Sequence, residues 1–234
     1  MLVVRPSVKE TISALYNTAG ISFPQNGRSK IVLLRHLINA FGLECIELPN
    51  LTARVALEFL SRYGATILPD DDRNESPLAG YLYITTNFGC IFVNQSDRVT
   101  RRRFSVAHEL GHYLLHFRPL LDALKRSGEL ITLYHSDHKK KDANEPEDLN
   151  ADFFEGRTIA FSESNIEDFL PPTEQMEKEA DFFAGELLLP AEIVRAQAAI
   201  LDLPPDDLSW RMATIFLVSR SAMQRRLLEL DLLR

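Results

Sequence analysis

The stretch from Arg103 to Phe117, RFSVAHELGHYLLHF, limits what this chain can be more than any other. It contains His108-Glu109-Leu110-Gly111-His112, an H-E-x-x-H. Residues four apart on an α-helix share a face, so His108 and His112 would offer two imidazoles to one metal ion. Glu109 lies about 100° further round the helix. It cannot chelate beside the pair, but it can reach a water on the metal and take its proton. The flanks Phe104, Val106, Ala107, Leu110, Leu114 and Leu115 are apolar and place this helix in a core. Two imidazoles and a carboxylate in a core need partners, because unpaired buried polar groups are costly. A metal satisfies them. The alternative is a core helix whose histidines bond neighbouring carboxylates.

A catalytic zinc usually takes three protein ligands and keeps one position for water. The spacing H-E-x-x-H-x-x-G-x-x-H is absent, since the next histidine, His116, stands four residues after His112. On a straight helix it would sit about 6 Å further along the axis, too far for the same ion. His116 is therefore expected to pack or to support the ligands. The remaining source is a carboxylate on a later helix. The acid-rich segment 173–189 has Met176, Ala180, Phe183, Ala184 and Leu187 on one face and offers Glu177, Glu179 and Glu186. Ala180 beside Glu179 permits close helix approach, a small edge for Glu179 that leaves all three open.

The rest of the chain supplies the frame. A helix is expected over residues 7–19, with Ser7 as N-cap and Gly20 as its stop. A second is expected over Ile31 to Phe41, carrying His36, and a third over Leu51 to Tyr63. Leu43 to Leu48 reads as a strand. Gly80 to Ile84 and Cys90 to Asn94 flank Asn87-Phe88-Gly89 and read as a hairpin feeding the H-E-x-x-H helix. Arg101, Arg102 and Arg103 open that helix and are expected to pair with the chain's excess acid. Residues 118–172 have the look of an insertion, with lysines 139–141 followed by an acidic run and short ordered pieces expected near Leu130 to Tyr134 and Thr158 to Phe161. His135 and His138 within it are expected in a solvated loop. After Pro190 come further helices, the last two meeting near Val218-Ser219, with Ser219 as N-cap.

The chain has 234 residues, 45% hydrophobic and 25% charged, an ordinary globular composition. A net charge of -7 argues against the whole molecule binding nucleic acid. No apolar run reaches the ~20 residues of a membrane span, and the first residues lack a signal-peptide run. Cys45 and Cys90 stand in apolar stretches with no C-x-x-C and are expected as reduced thiols. A cytoplasmic protein without membrane contact is the expectation. The expected fold is α+β, a mostly helical zincin-like domain with a small antiparallel sheet and the metal between two helices. The zincin-like domain is placed at residues 1–190, with a helical, helix-turn-helix-like tail at 191–234.

RFSVAHELGHYLLH followed by EADFFAGELLLP resembles the ImmA/IrrE family of zinc metallopeptidases, whose pattern is R-F-[ST]-x-A-H-E-L-G-H-x-x-x-H, then E-A-N-x-F-A-x-x-L-L-x-P. The tail MATIFLVSRSAMQRRLLELDLL is similar to that family's C-terminal pattern. The resemblance implies zinc as cofactor, His108 and His112 as ligands, Glu109 as catalytic base and Glu179 as third ligand. Asp181 departs from the family's asparagine and bears on the bonding behind the ligands. The resemblance also implies a protein substrate, a helix-turn-helix transcriptional repressor cleaved to derepress genes. The competing reading is a non-catalytic module that binds a repressor or antitoxin, with a structural or vestigial metal. The tail carries Arg220, Arg225 and Arg226, but Glu229 and Asp231 and the acidic total set DNA binding aside.

Overall fold

The computed structural model describes residues 6–22, 30–64, 75–124, 132–138, 155–161 and 169–233. Pro24, Asn26, Gly27, the lysines 139–141 and the acidic run after them lie outside these residues. Strands β2 (Leu78–Thr85) and β3 (Gly89–Asn94) form the expected hairpin, with Leu82 opposite Ile91. Its turn closes on Thr85, whose Oγ1 accepts from the Phe88 N–H at 3.1 Å. Every residue of β3, and of β2 as far as Ile84, is buried, because both faces of the sheet are covered.

The class is α+β, but the sheet is mixed rather than wholly antiparallel. Strand β1 (Leu43–Leu48) runs parallel to β3, with Leu43 opposite Gly89. The chain between them carries α3 (Ala53–Ser61) and β2, and a parallel pair requires a long connection of this kind. On the other edge of β2 lies β4 (Thr132–His138), and β5 (Glu155–Phe161) pairs antiparallel with it. The order is β1-β3-β2-β4-β5. The segment read as an insertion therefore builds two strands of the main sheet.

Helix α1 (Val8–Thr18) carries a reciprocal capping box between Ser7 and Glu10. Helix α2 (Leu34–Asn39) is shorter than its apolar pattern promised, with no side chain capping its start and Gly42 in the left-handed region behind it. Helix α4 (Val99–His112) follows the hairpin, passes into a π-turn at Tyr113–Phe117, then into α5 (Arg118–Leu124). Arg101 meets Asp97 at 3.7 Å, Arg102 pairs with Glu47, and Arg103 donates to the Val32 carbonyl at 3.1 Å. The opening arginines are thus held by the protein itself. Helices α6 (Thr173–Leu188), α7 (Ala191–Leu201), α8 (Pro205–Phe216) and α9 (Arg220–Glu229) complete the chain. Leu217 turns the chain left-handed between the last two, and Ser219 Oγ caps α9 by accepting from the Ala222 N–H at 3.1 Å.

One core cluster unites α1, α2, α4 and the later helices with one face of the sheet, through Leu15, Leu110, Phe183 and Phe216 on the helices and Leu82 and Ile91 on the sheet. The opposite face packs Tyr81, Tyr83, Phe92 and Tyr134 beneath α3. Residues of α7, α8 and α9 belong to the same cluster as the H-E-x-x-H helix. Among the described residues, no helix is long and apolar enough to cross a membrane.

Candidate metal centre

The approach of α6 to α4 sets the site. A Cβ on Gly111 would stand 3.2 Å from the Ala180 Cα and 3.0 Å from the Phe183 ring, so two small residues bring the helix backbones together. His108, Glu109 and His112 then lie fully buried, and Glu177 from α6 reaches them. The donor atoms of His108, His112 and Glu177 lie within 4.8 Å of one another and could hold a metal ion.

Bonds behind the ring nitrogens fix which way each imidazole works. His108 Nδ1 faces Asp181 Oδ1 at 2.9 Å. A carboxylate only accepts, so Nδ1 carries the proton and Nε2 keeps its lone pair. His116 Nε2 faces Glu179 Oε2 at 3.0 Å, which leaves His116 Nδ1 to accept from His112 Nδ1 at 3.3 Å. His112 Nε2 therefore also keeps a lone pair. The two Nε2 atoms stand 2.9 Å apart. Two lone pairs at that distance repel unless a cation sits against both. Glu177 Oε2 accepts no hydrogen bond although it is buried, and lies 3.3 Å from His108 Nε2. Glu109 Oε1 is likewise buried and unpartnered. This donor set fits a zinc ion and its water: two neutral imidazoles, one carboxylate, and a second carboxylate with a free oxygen.

Glu179, expected as the third ligand, is not part of this group. Residues two apart on a helix point about 200° apart, so the turn of α6 that aims Glu177 inward cannot also aim Glu179 there. Glu179 instead ends the relay behind His112. Glu186 is engaged elsewhere, paired with Arg226 at 2.7 Å.

His135, expected in a solvated loop, is fully buried on β4. Its Nδ1 lies 3.1 Å from Glu109 Oε2 and its Nε2 lies 2.9 Å from Glu177 Oε1. Its ring centroid is 3.7 Å from that of His112. Burial pulls its pKa down, but the two carboxylates outweigh burial and push it up to about 9. Burial, then the neighbouring His135, hold His112 well below the usual histidine range. Burial would raise Glu177, yet the facing imidazoles of His108, His112 and His135 keep it well below the usual carboxylate range. In sequence, His135 had one available signal. In T-L-Y-H-S-D-H the apolar Leu133 and His135 share a strand face, as Thr132, Tyr134 and Ser136 share the other. The lysines that follow hid that alternation.

Residues 69–147 and 157–228, more than half of the chain, match the family described as the IrrE N-terminal-like domain, a peptidase M78 domain. The chain belongs to this family. A comparison with curated proteins gave no match. The IrrE-like domain is a metallopeptidase-type domain, and both helices of the candidate metal site, α4 and α6, fall inside the matched residues. The match breaks between residues 147 and 157.

Proposed function

We propose that the protein is a zinc-dependent endopeptidase, with His108, His112 and Glu177 as ligands and Glu109 as general base. The observation that carries this reading is the pair of unpartnered oxygens, Glu177 Oε2 and Glu109 Oε1, beside two imidazoles whose outer bonds turn their lone pairs inward. Zinc held by His108, His112 and Glu177 would lower the pKa of a bound water to about 7 and polarise the scissile carbonyl. Glu109 takes the water's proton at Oε1 and delivers it to the leaving amine. Asp181 and the His116–Glu179 pair hold the imidazoles in the tautomer that ligates. Burial of the whole constellation keeps competing water out and strengthens each electrostatic contact.

Membership of the family supports the peptidase chemistry, and its resemblance to repressor-cleaving members supports a transcriptional repressor in the cytoplasm as substrate. The test is zinc per chain by mass spectrometry, together with cleavage of candidate repressors. Wild type should hold one zinc and cut. Glu177→Gln should lose the zinc, and Glu109→Gln should keep it and lose cleavage by about 10²-fold or more. Zinc retained at full occupancy in Glu177→Gln would sink the ligand set. Undiminished cleavage by Glu109→Gln would sink the base.

A further inference from the structure

We propose that His135 is a positioning residue that sets the task of each oxygen on Glu109 and Glu177; this rests on the zinc-peptidase reading above. Each of the two carboxylates has one oxygen on His135 and one without a partner. Glu109 gives Oε2 to His135 Nδ1 at 3.1 Å and leaves Oε1 free. Glu177 gives Oε1 to His135 Nε2 at 2.9 Å and leaves Oε2 free. The free oxygens are the two the chemistry requires: one to ligate and one to accept a proton. A single ring thereby fixes the rotation of both carboxylates. Carboxylates only accept, so both ring nitrogens of His135 donate.

The surroundings make the ring a rigid reference. His135 comes from β4, the fourth strand in the order β1-β3-β2-β4-β5, and it pairs with Leu82 of β2 on one side and Thr158 of β5 on the other. Strand-borne side chains flanked on both edges have little freedom to swing. Across the site, Gly80 of β2 has no side chain. A Cβ there would lie 2.5 Å from Glu109 Oε1, so the free oxygen occupies room that only glycine leaves. Glu109 is thus held from one side by a hydrogen bond and admitted from the other by a missing side chain. His135 lies outside the group of donor atoms that could share a metal ion, so it acts through the two glutamates.

The experiment loads the full-length protein with Co²⁺ or Zn²⁺ and compares wild type, His135→Ala and His135→Gln. Affinity is read by chelator competition and ligand geometry by the visible spectrum of bound Co²⁺. Loss of a bond behind a ligand costs about 10–100-fold in metal affinity. His135→Ala should lose that much and show an altered Co²⁺ spectrum. His135→Gln, which retains a donor, should recover part of both. Variants with wild-type affinity and spectrum would overturn the role of His135 and leave the peptidase reading intact. A wild type that binds neither metal would overturn both. Should the variants fail to fold, wild type decides alone. With zinc bound, nitrogen NMR should find a proton on each ring nitrogen of His135. An unprotonated or zinc-bound ring nitrogen there would overturn the assignment.

Discussion

Glu177 and Glu179 differ by two positions and do different work, and the difference is the angle of a helix. Glu177 closes the metal group, while Glu179 receives His116 behind His112. The two roles predict two magnitudes. Glu179→Gln should still bind one zinc, with affinity weakened by about 10–100-fold, the usual effect of losing a partner behind a ligand. Asp181→Asn should weaken it less, since an amide oxygen still accepts from His108 Nδ1. Isothermal titration with zinc under chelator buffering separates these from Glu177→Gln, which should bind no zinc at that site. The pairing of His108 and His112, with Glu109 beside them, was legible because a four-residue helical spacing carries its geometry with it. Glu177 was legible only as one of three acids. Its selection needed the rotation of α6 about its own axis, which the nearby Ala180 fixes by contact with Gly111 rather than by spacing.

At the scale of elements, the site depends on two close approaches that glycine makes possible. Gly111 lets α6 lie against α4, with the Ala180 carbonyl 3.3 Å from where a Cβ would be. Gly111→Ala adds one methyl group to a full contact, and overpacking of this kind costs about 1–3 kcal/mol. It should lower the melting temperature and weaken zinc binding together, because it spreads the two helices that carry the candidate ligands. Gly80→Ala should behave differently. The added methyl meets the Glu109 carboxylate, so zinc should remain bound while turnover falls, seen as a drop in kcat at full metal occupancy. Equal loss of zinc and turnover would show that β2 supports the ligands rather than the base. Elements with local signals were readable from the sequence: the caps Ser7 and Ser219, and the hairpin around Asn87-Phe88. The pairing of β4 with β2 was not, since no local residue pattern encodes which distant strand a segment meets. The π-turn at Tyr113–Phe117 was also hidden. It widens the helix just beyond His112, where His116 turns to meet both His112 and Glu179.

Across the whole molecule, the last helix, α9, is tied to α6 through one buried guanidinium. Arg226 of α9 donates to the Leu189 carbonyl at 2.9 Å and pairs with Glu186 of α6 at 2.7 Å and Glu229 at 3.1 Å. Breaking a buried ion pair by removing one partner costs about 3–5 kcal/mol, and the low end applies because Glu229 is half exposed. Arg226→Ala should therefore lower global stability by roughly 3 kcal/mol in urea unfolding. The titration of the core gives a second, independent expectation. Burial pushes the Cys45 thiol up to about 11, with Glu47 adding to it, and pushes Cys90 higher still. Burial pushes the Tyr16 hydroxyl up to about 12. These groups stay neutral in the fold while the unfolded chain ionises them, near pH 9 for the thiols and 10 for tyrosine. The unfolded state then holds fewer protons than the folded one, so stability falls as pH rises. The contribution is whole below pH 9 and is lost as pH climbs through 9 to 12. Urea midpoints should fall between about pH 6.5 and 9 as the raised His135 loses its proton, and should decline further above pH 9 as the thiols and Tyr16 come into play, with Cys90→Ala flattening the start of that second decline. Native protein at pH 8 should also resist a thiol reagent at Cys90 until urea opens the sheet. A midpoint that rises between pH 9 and 11, or rapid native labelling of Cys90, would contradict the burial of β3 beneath both layers of the fold.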